Sequence, residues 1–489
     1  MFLFLENINE IPLSDLFFPL GISIIFLVIP WIILLKFIGN EKSSLITTLF
    51  IIIFIAFSFS RGFLAFHENV EIQQLASNFV LMPIFGSIFI ISLIYIWRKE
   101  LPSMLNQTFN LMSILIVAFF IFQIGFDLFE ENSFQHAQKL LDVPIYQINE
   151  DVERPNVYLI LLDAYSGNTL LEKDFGFDNS EFYKKLRDRG FVVQEKSFSN
   201  YPNTELSMPS ILNMNYLDFL VEIQGEDSND MSVTQKLWNE NKVMEFFELN
   251  GYQIYAFEGR GGAKSEMVST KLCTLPFQIN RELISELITN YLPISSIREN
   301  IRTELHFTTV SCVLETIENF ESEKTPFYMH MHVRLPHQPF VFDKEGNKVS
   351  DSKSMMKRFD ERLKDAYLQQ LIFTNSKTID IIDSIQKKDS STVIIVMSDH
   401  AGRFGVDWDQ PSELDYLRGF NTLMAINFPG KENQIPEQIS TVNIFRIFFN
   451  VYFDTEYDLL DDRQIWYSPE KPFLQTDVTD FIKFYQIEK

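Results

Sequence analysis

NVYLILLDAY, residues 156 to 165, is an unbroken apolar run that closes on a single carboxylate, Asp163. A strand with one wet face alternates apolar and polar side chains, so a run that is apolar at every position reads as a strand covered on both faces. Further runs of this kind follow at YQIYAFE (252–258), FYMHMHV (327–333), TVIIVMSD (392–399) and LMAINF (423–428). Helical patterns lie between them, among them NSEFYKKLRDRG, where Asn179 or Ser180 can cap the start and Gly190 the end. Strands alternating with helices predict an α/β domain over residues 155–489, with a mostly parallel sheet sandwiched by helices. No internal repeat and no long low-complexity segment breaks this pattern.

In such sheets ligands gather beyond the carboxyl ends of the strands. Asp163 ends the first run, His337 follows FYMHMHV in LPHQPF, and Asp399 with His400 ends TVIIVMSD. A further stretch, NYPNTELSMPS (200–210), sets the Thr204 hydroxyl just before a helix start. Unpaired N–H groups and the positive end of the dipole make that place a seat for an anionic oxygen or a phosphoryl group. Each residue also has a plainer reading on its own: Thr204 as a helix cap, Asp163 as a turn acceptor, His337 as a loop histidine. Asp399 and His400 fit the plainer reading least well, because two ligand-type residues straight after an apolar strand cost stability unless they coordinate or pair. Two carboxylates, an imidazole and a threonine oxygen could enclose one divalent cation. The nitrogen ligand favours zinc, the oxygens manganese or magnesium. His330 and His332 share one face of their strand and read as packing groups or as supports for ligands.

The first quarter of the chain is of another kind. Leu16–Leu35, Ser43–Ser60, Ile72–Trp97 and Leu101–Phe126 contain no Asp, Glu, Lys or Arg, and each is long enough as a helix to cross a hydrocarbon core of about 30 Å. Residues 1–126 therefore read as a four-helix, multi-pass transmembrane region in a lipid bilayer. Lys36 and Lys42 after the first span and Arg98 and Lys99 after the third, against Arg61 alone after the second, place both ends of the region outside. An acidic connection, 127–154, then leads to a catalytic domain on the extracytoplasmic side of the cytoplasmic membrane.

The formal charge of −24 argues against nucleic acid as a partner, since a phosphate backbone would be repelled. Two cysteines, Cys273 and Cys312, exclude a Cys/His zinc cage and leave at most one bridge.

PNVYLILLDAY, NYPNTELSMPS, LPHQPFVFD and SDHAGRFG, in this order, resemble the sulfatase-like branch of the alkaline phosphatase superfamily. The layout of a membrane region and a catalytic domain is similar to lipoteichoic acid synthases and lipid A phosphoethanolamine transferases. Thr204, Ser207 and Pro209 keep the spacing of the transferases' nucleophile motif. The resemblance implies that Asp163, Thr204, Asp399 and His400 hold the main metal, with His337 in a second metal or substrate position. It also implies a phospholipid or cell-envelope ester as substrate. In that setting Thr204 attacks phosphorus, His337 protonates a leaving oxygen or binds a non-bridging one, and Arg403 neutralises charge in the transition state. The sequence departs from the family's pattern in three ways. No histidine follows His400, which counts against a complete second metal site. SDHA replaces SDHG, and Ile211 stands where a formylglycine motif at Ser207 needs Arg. A sulfuric ester hydrolase, or a non-catalytic membrane component that keeps the fold, is the alternative.

Overall fold

A computed structural model describes residues 17–65, 78–98, 107–108, 111, 114, 118, 132–257, 267–273, 295–322, 326–349 and 359–487. The chain divides into two compact units, residues 1–131 with 279–298, and residues 132–278 with 299–489.

The first unit holds the helices Phe17–Ile38, Asn40–Ala65 and Asn78–Arg98. They pack through Leu45, Ile46 and Ile96, and through edge-to-face contacts of Phe50 with Phe89 and Phe57 with Phe85. The expectation of four spans is corrected here. Among the described residues one helix, Val80–Arg98, is long and apolar enough to cross a membrane, and Val28–Ile38 is apolar but shorter. Most of the fourth run, Leu101–Phe126, lies outside the described residues. A multi-pass arrangement, and the placement drawn from its loops, therefore gives way to a single candidate span, which is compatible with membrane association.

The second unit is built on a seven-stranded sheet. In chain order the strands of the unit are β1 (Val157–Leu162), β2 (Val192–Val193), β3 (Ser197–Phe198), β4 (Gln253–Phe257), β5 (Thr270–Leu272), β6 (Phe327–Val333), β7 (Val393–Met397), β8 (Asn421–Thr422), β9 (Met424–Asn427), β10 (Ile465–Ser468) and β11 (Lys471–Asp477). The order across the large sheet is β2-β9-β7-β1-β6-β4-β5. The strands from β7 to β5 pair in parallel, whereas β9 runs antiparallel to β7 and β2 antiparallel to β9. The sheet is thus mixed, a correction to the mostly parallel sheet expected from the sequence. An apolar run shows that both faces of a strand are covered but carries no sign of its direction.

Central β1 shows how the sheet is buried. Tyr158, Ile160 and Leu162 enter one core cluster and Val157, Leu159 and Leu161 the other, as alternation on a pleated strand requires. Leu162 lies opposite Val333 of β6, and Leu161 opposite Met397 of β7. The carboxyl ends of β1, β6 and β7 are therefore level, and Asp163 and Asp399 leave neighbouring strands side by side. Cys273, just past β5, is disulfide-bonded to Cys312 on the helix Ser295–Asn319.

Candidate metal centre and nucleophile

Asp163 is held by backbone. Its N–H donates to the Val333 carbonyl at 3.0 Å, and the next residue, Ala164, takes a left-handed conformation at φ 61 that turns the chain off the strand. That turn is pinned on several sides. Tyr165 N donates to Ser398 Oγ at 2.9 Å, and Tyr367 Oη donates to the Ala164 carbonyl at 2.9 Å. Gly402 N donates to Ser166 Oγ at 3.0 Å, an approach so close that a Cβ at residue 402 would itself lie 3.0 Å from that oxygen. A side chain at residue 402 would therefore press on Ser166 and on the Phe404 ring.

Thr204 arrives from the other side of the cleft. It is the first residue of the helix Thr204–Asn213, with Asn203 in the cap position, one place further into the helix than the sequence suggested. Its Oγ1 donates to Asp399 Oδ2 at 2.6 Å and lies 3.1 Å from His400 Nε2. Ser207, one turn on, donates its hydroxyl to the Asp399 backbone carbonyl at 2.7 Å, which fastens the helix to the end of β7. His400 Nε2 is 3.5 Å from Asp163 Oδ1 and 3.7 Å from Asp399 Oδ2. All four residues are buried.

The donor atoms of Asp163, Asp399 and His400 lie within 4.8 Å of one another. Both carboxylate oxygens of Asp163 are buried with no hydrogen-bond donor, an arrangement that costs free energy unless a cation sits against them. His400 Nδ1 lies 2.8 Å from the Ala401 carbonyl. A carbonyl can only accept, so Nδ1 carries the proton and Nε2 turns its lone pair toward the cluster. Burial, and then the Arg403 charge, lower the pKa of His400 and keep it neutral. Burial pushes the Asp163 carboxyl up, but His337 and then His332 outweigh it and hold the group well below the usual carboxylate range. The donor set therefore fits a divalent cation, with Thr204 Oγ1 as a fourth ligand.

His332 belongs to this cluster as a support: its Nε2 lies 3.5 Å from Asp163 Oδ2. His330, two residues earlier, faces Tyr328 instead, with Nδ1 3.2 Å from the phenol oxygen. His337 is buried, its Nδ1 bonded to the Gln338 carbonyl and its ring 6.5 Å from that of His400. Arg403 lies over the faces of Phe359 and Trp408, at 5.1 and 6.0 Å, and donates to the Pro202 carbonyl at 3.4 Å. The structure thus brings Asp163, Thr204, Asp399 and His400 into contact, with His337 and Arg403 around them.

Beside Thr204 opens a cleft of about 720 Å³ lined in part by Asn203, Arg403, Trp408 and Tyr467. Of these the sequence singled out Arg403 alone. Asn203 could have been found as the residue before the nucleophile candidate, but nothing in the pattern around Tyr467 marks it.

The Sulfatase family model matches residues 155–451, and the chain belongs to that family. No curated protein is matched. Among solved structures the chain is similar to the zinc complex of the C-terminal periplasmic domain of EcEptC from Escherichia coli. The two share 11% identity over 68% of this chain and 96% of that one, at a TM-score of 0.44. The C-terminal periplasmic domain of phosphoethanolamine transferase EptC from Campylobacter jejuni shares 12% identity over 68% and 99% of the two chains, with a TM-score of 0.37. BT1596, a 2-O GAG sulfatase, shares 13% identity over 63% and 72%, with a TM-score of 0.40.

Proposed function

We propose that this protein is a metal-dependent enzyme that transfers or hydrolyses a phosphoryl-type group through a covalent intermediate on Thr204, with a phospholipid or cell-envelope ester as substrate. The observation that carries the reading is the placement of Thr204 Oγ1, buried and within hydrogen-bond reach of Asp399 Oδ2 and His400 Nε2 at the first turn of a helix. Zinc, manganese or magnesium would be held by Asp163, Asp399, His400 and Thr204; once bound, the cation lowers the pKa of the hydroxyl and offsets the charge of the incoming anion.

The chain's own residues do the rest. Thr204 Oγ1 forms the new bond to phosphorus as the bond to the leaving oxygen breaks, and its proton passes along its hydrogen bond to Asp399 Oδ2. The helix N-terminus favours the negative oxygens of the bound group. His337 supplies a proton to the leaving oxygen, and Arg403 faces the charge that builds in the transition state. In the second half water or an acceptor alcohol attacks phosphorus, and Thr204 Oγ1 leaves and recovers its proton. A sulfuric ester hydrolase is the second reading, favoured by the family model that matches. Ile211 speaks against it in its usual form, since the formylglycine motif at Ser207 would need Arg there.

Mass spectrometry of the 197–215 region after incubation with phosphoglycerol lipids, phosphoethanolamine lipids and aryl sulfates tests this. The expected result is an adduct on Thr204 whose mass names the transferred group, absent from an inactive but folded Thr204→Ala variant. A formylglycine at Ser207, or an adduct elsewhere, overturns it.

A further inference from the structure

Between β3 and the helix Thr204–Asn213 the chain runs through residues 199–203, all buried and in neither helix nor strand, so no ladder of backbone bonds holds the strap that delivers Thr204. Its polar groups have to be met by side chains and loops instead. Asn200 meets them most completely. Its Oδ1 accepts from Thr441 Oγ1 at 2.7 Å and from Val442 N at 2.8 Å, and its Nδ2 donates to Ser440 Oγ and to the Arg463 carbonyl, both at 2.7 Å. A carboxamide has two N–H groups and one oxygen with two lone pairs, so every position is filled. The backbone of the same residue is held as well: Asn200 N donates to Thr441 Oγ1 at 3.3 Å, and Ile465 N donates to the Asn200 carbonyl at 2.9 Å. A buried amide satisfied on all sides fixes the segments around it in one arrangement.

We infer that Asn200 is the positioning residue of the nucleophile. It anchors the strap four residues ahead of Thr204, while Ser207 anchors the helix three residues behind it on the Asp399 carbonyl. Fixed on both sides, the first turn of the helix sets Thr204 Oγ1 against Asp399 Oδ2 and His400 Nε2. Tyr201 stiffens the strap between the anchors: its Oη accepts from Leu217 N at 2.8 Å, and its ring shares a core cluster with Leu206 of the same helix. The partners of Asn200 are distant in sequence. They come from Ser440 and the turn Thr441–Asn443 and from the approach to β10, and Arg463 and Ile465 lie beyond the matched family segment, which ends at residue 451. The C-terminal part of the chain thereby helps to aim the nucleophile without touching substrate. This deepens the proposed function and rests on it for the role of Thr204.

Three variants of the full-length protein test the inference. Asn200→Asp sets an oxygen against the Arg463 carbonyl, and Thr441→Val nearly keeps the shape while deleting the hydroxyl that bridges Asn200 Oδ1 and N. Asn250→Asp is the comparison: Asn250 is likewise a buried amide, bonded to Ile148 N and to the Tyr146 and Phe246 carbonyls, but it precedes β4, at the end of the sheet away from Asp163 and Asp399. The measurements are amide hydrogen exchange over residues 203–209 and turnover of bis(p-nitrophenyl) phosphate. In Asn200→Asp exchange at the first turn of the helix should quicken and kcat should fall about a hundredfold with KM little changed, the loss expected when a reacting atom is displaced by about 1 Å. Thr441→Val should move both in the same direction, with kcat down about tenfold. Asn250→Asp should melt at a lower temperature yet keep wild-type exchange over 203–209 and wild-type kcat. Wild-type exchange and kcat in Thr441→Val, or equal changes in Asn250→Asp, overturn the inference, whether or not Asn200→Asp folds. Full turnover in Thr204→Ala, or none in the wild type, sinks the proposed function instead, and the exchange comparison still decides whether Asn200 anchors the helix.

Discussion

At the scale of single residues, the second unit buries imidazoles beneath the metal cluster, and one of them makes stability depend on pH. His330 sits on central β6 between Leu159 and Ala256, and burial, helped by neighbouring His332, pushes its pKa down to about 3. The folded pKa is thus depressed from an ordinary value near 6.5, and the unfolded state binds more protons at every pH between the two. Stability tied to His330 is fully present above about pH 6.5 and falls as the pH drops toward 3, by about 2 kcal/mol at pH 5. Urea unfolding at pH 7 and pH 5 should show a His330→Met variant losing about 2 kcal/mol less than the wild type over that interval. Equal losses would mean that the imidazole is solvated or charged in the fold. The cluster above it was legible in the sequence to an unequal degree. Asp163, Asp399 and His400 stand out because a polar residue directly after an apolar strand has to be accounted for, and Thr204 because a helix begins beside it. Asn203 and Tyr467 stayed hidden, since an asparagine at a cap and a tyrosine in a hairpin are ordinary until three-dimensional structure places them on the wall of the cleft.

At the scale of elements, the apolar runs located β1, β4, β6, β7 and β9, whereas two-residue β2 is too short to carry a pattern. The direction of β9 was not legible because covered strands look alike whichever way their neighbours run. Edge strand β5 poses a different question. Its three residues pair with β4 alone, at the edge of the sheet, and Thr270 and Lys271 are exposed. Such a short edge strand has little to hold it except the bridge from Cys273 to Cys312, which spans 39 residues of sequence. Closing a loop of that length removes unfolded-state entropy worth about 4 kcal/mol, and measured disulfides generally deliver about 2–4 kcal/mol. A Cys273→Ser, Cys312→Ser double variant should therefore melt at a lower temperature, and hydrogen exchange in β5 should quicken before that in β1. Unchanged melting and exchange would show that β5 is held by its sheet contacts alone.

At the scale of the whole molecule, the count of bound metal tests how the sheet, the helix and the loops act together. Among the described residues one group of three His, Cys, Asp or Glu side chains brings its ligand atoms within 4.8 Å, and it joins the ends of β1 and β7. His337 stands close by, but no histidine follows His400 to close a second site with it. One equivalent of firmly held divalent metal per chain is expected. Because the donors come from segments more than 200 residues apart that meet only in the folded chain, the cation binds the native state in preference to the unfolded one, and metal at about 100 times its dissociation constant adds about 2.7 kcal/mol of stability. Removing it with a chelator should leave the buried Asp163 oxygens uncompensated and lower the melting temperature of the second unit, and re-addition should restore it. Elemental analysis of the purified protein gives the stoichiometry directly. An Asp399→Ala, His400→Ala double variant should lose the metal and melt independently of chelator, since half the ligands are gone. Two tightly held equivalents in the wild type, or full retention in the double variant, would place the metal elsewhere and detach Thr204 from its activating partner.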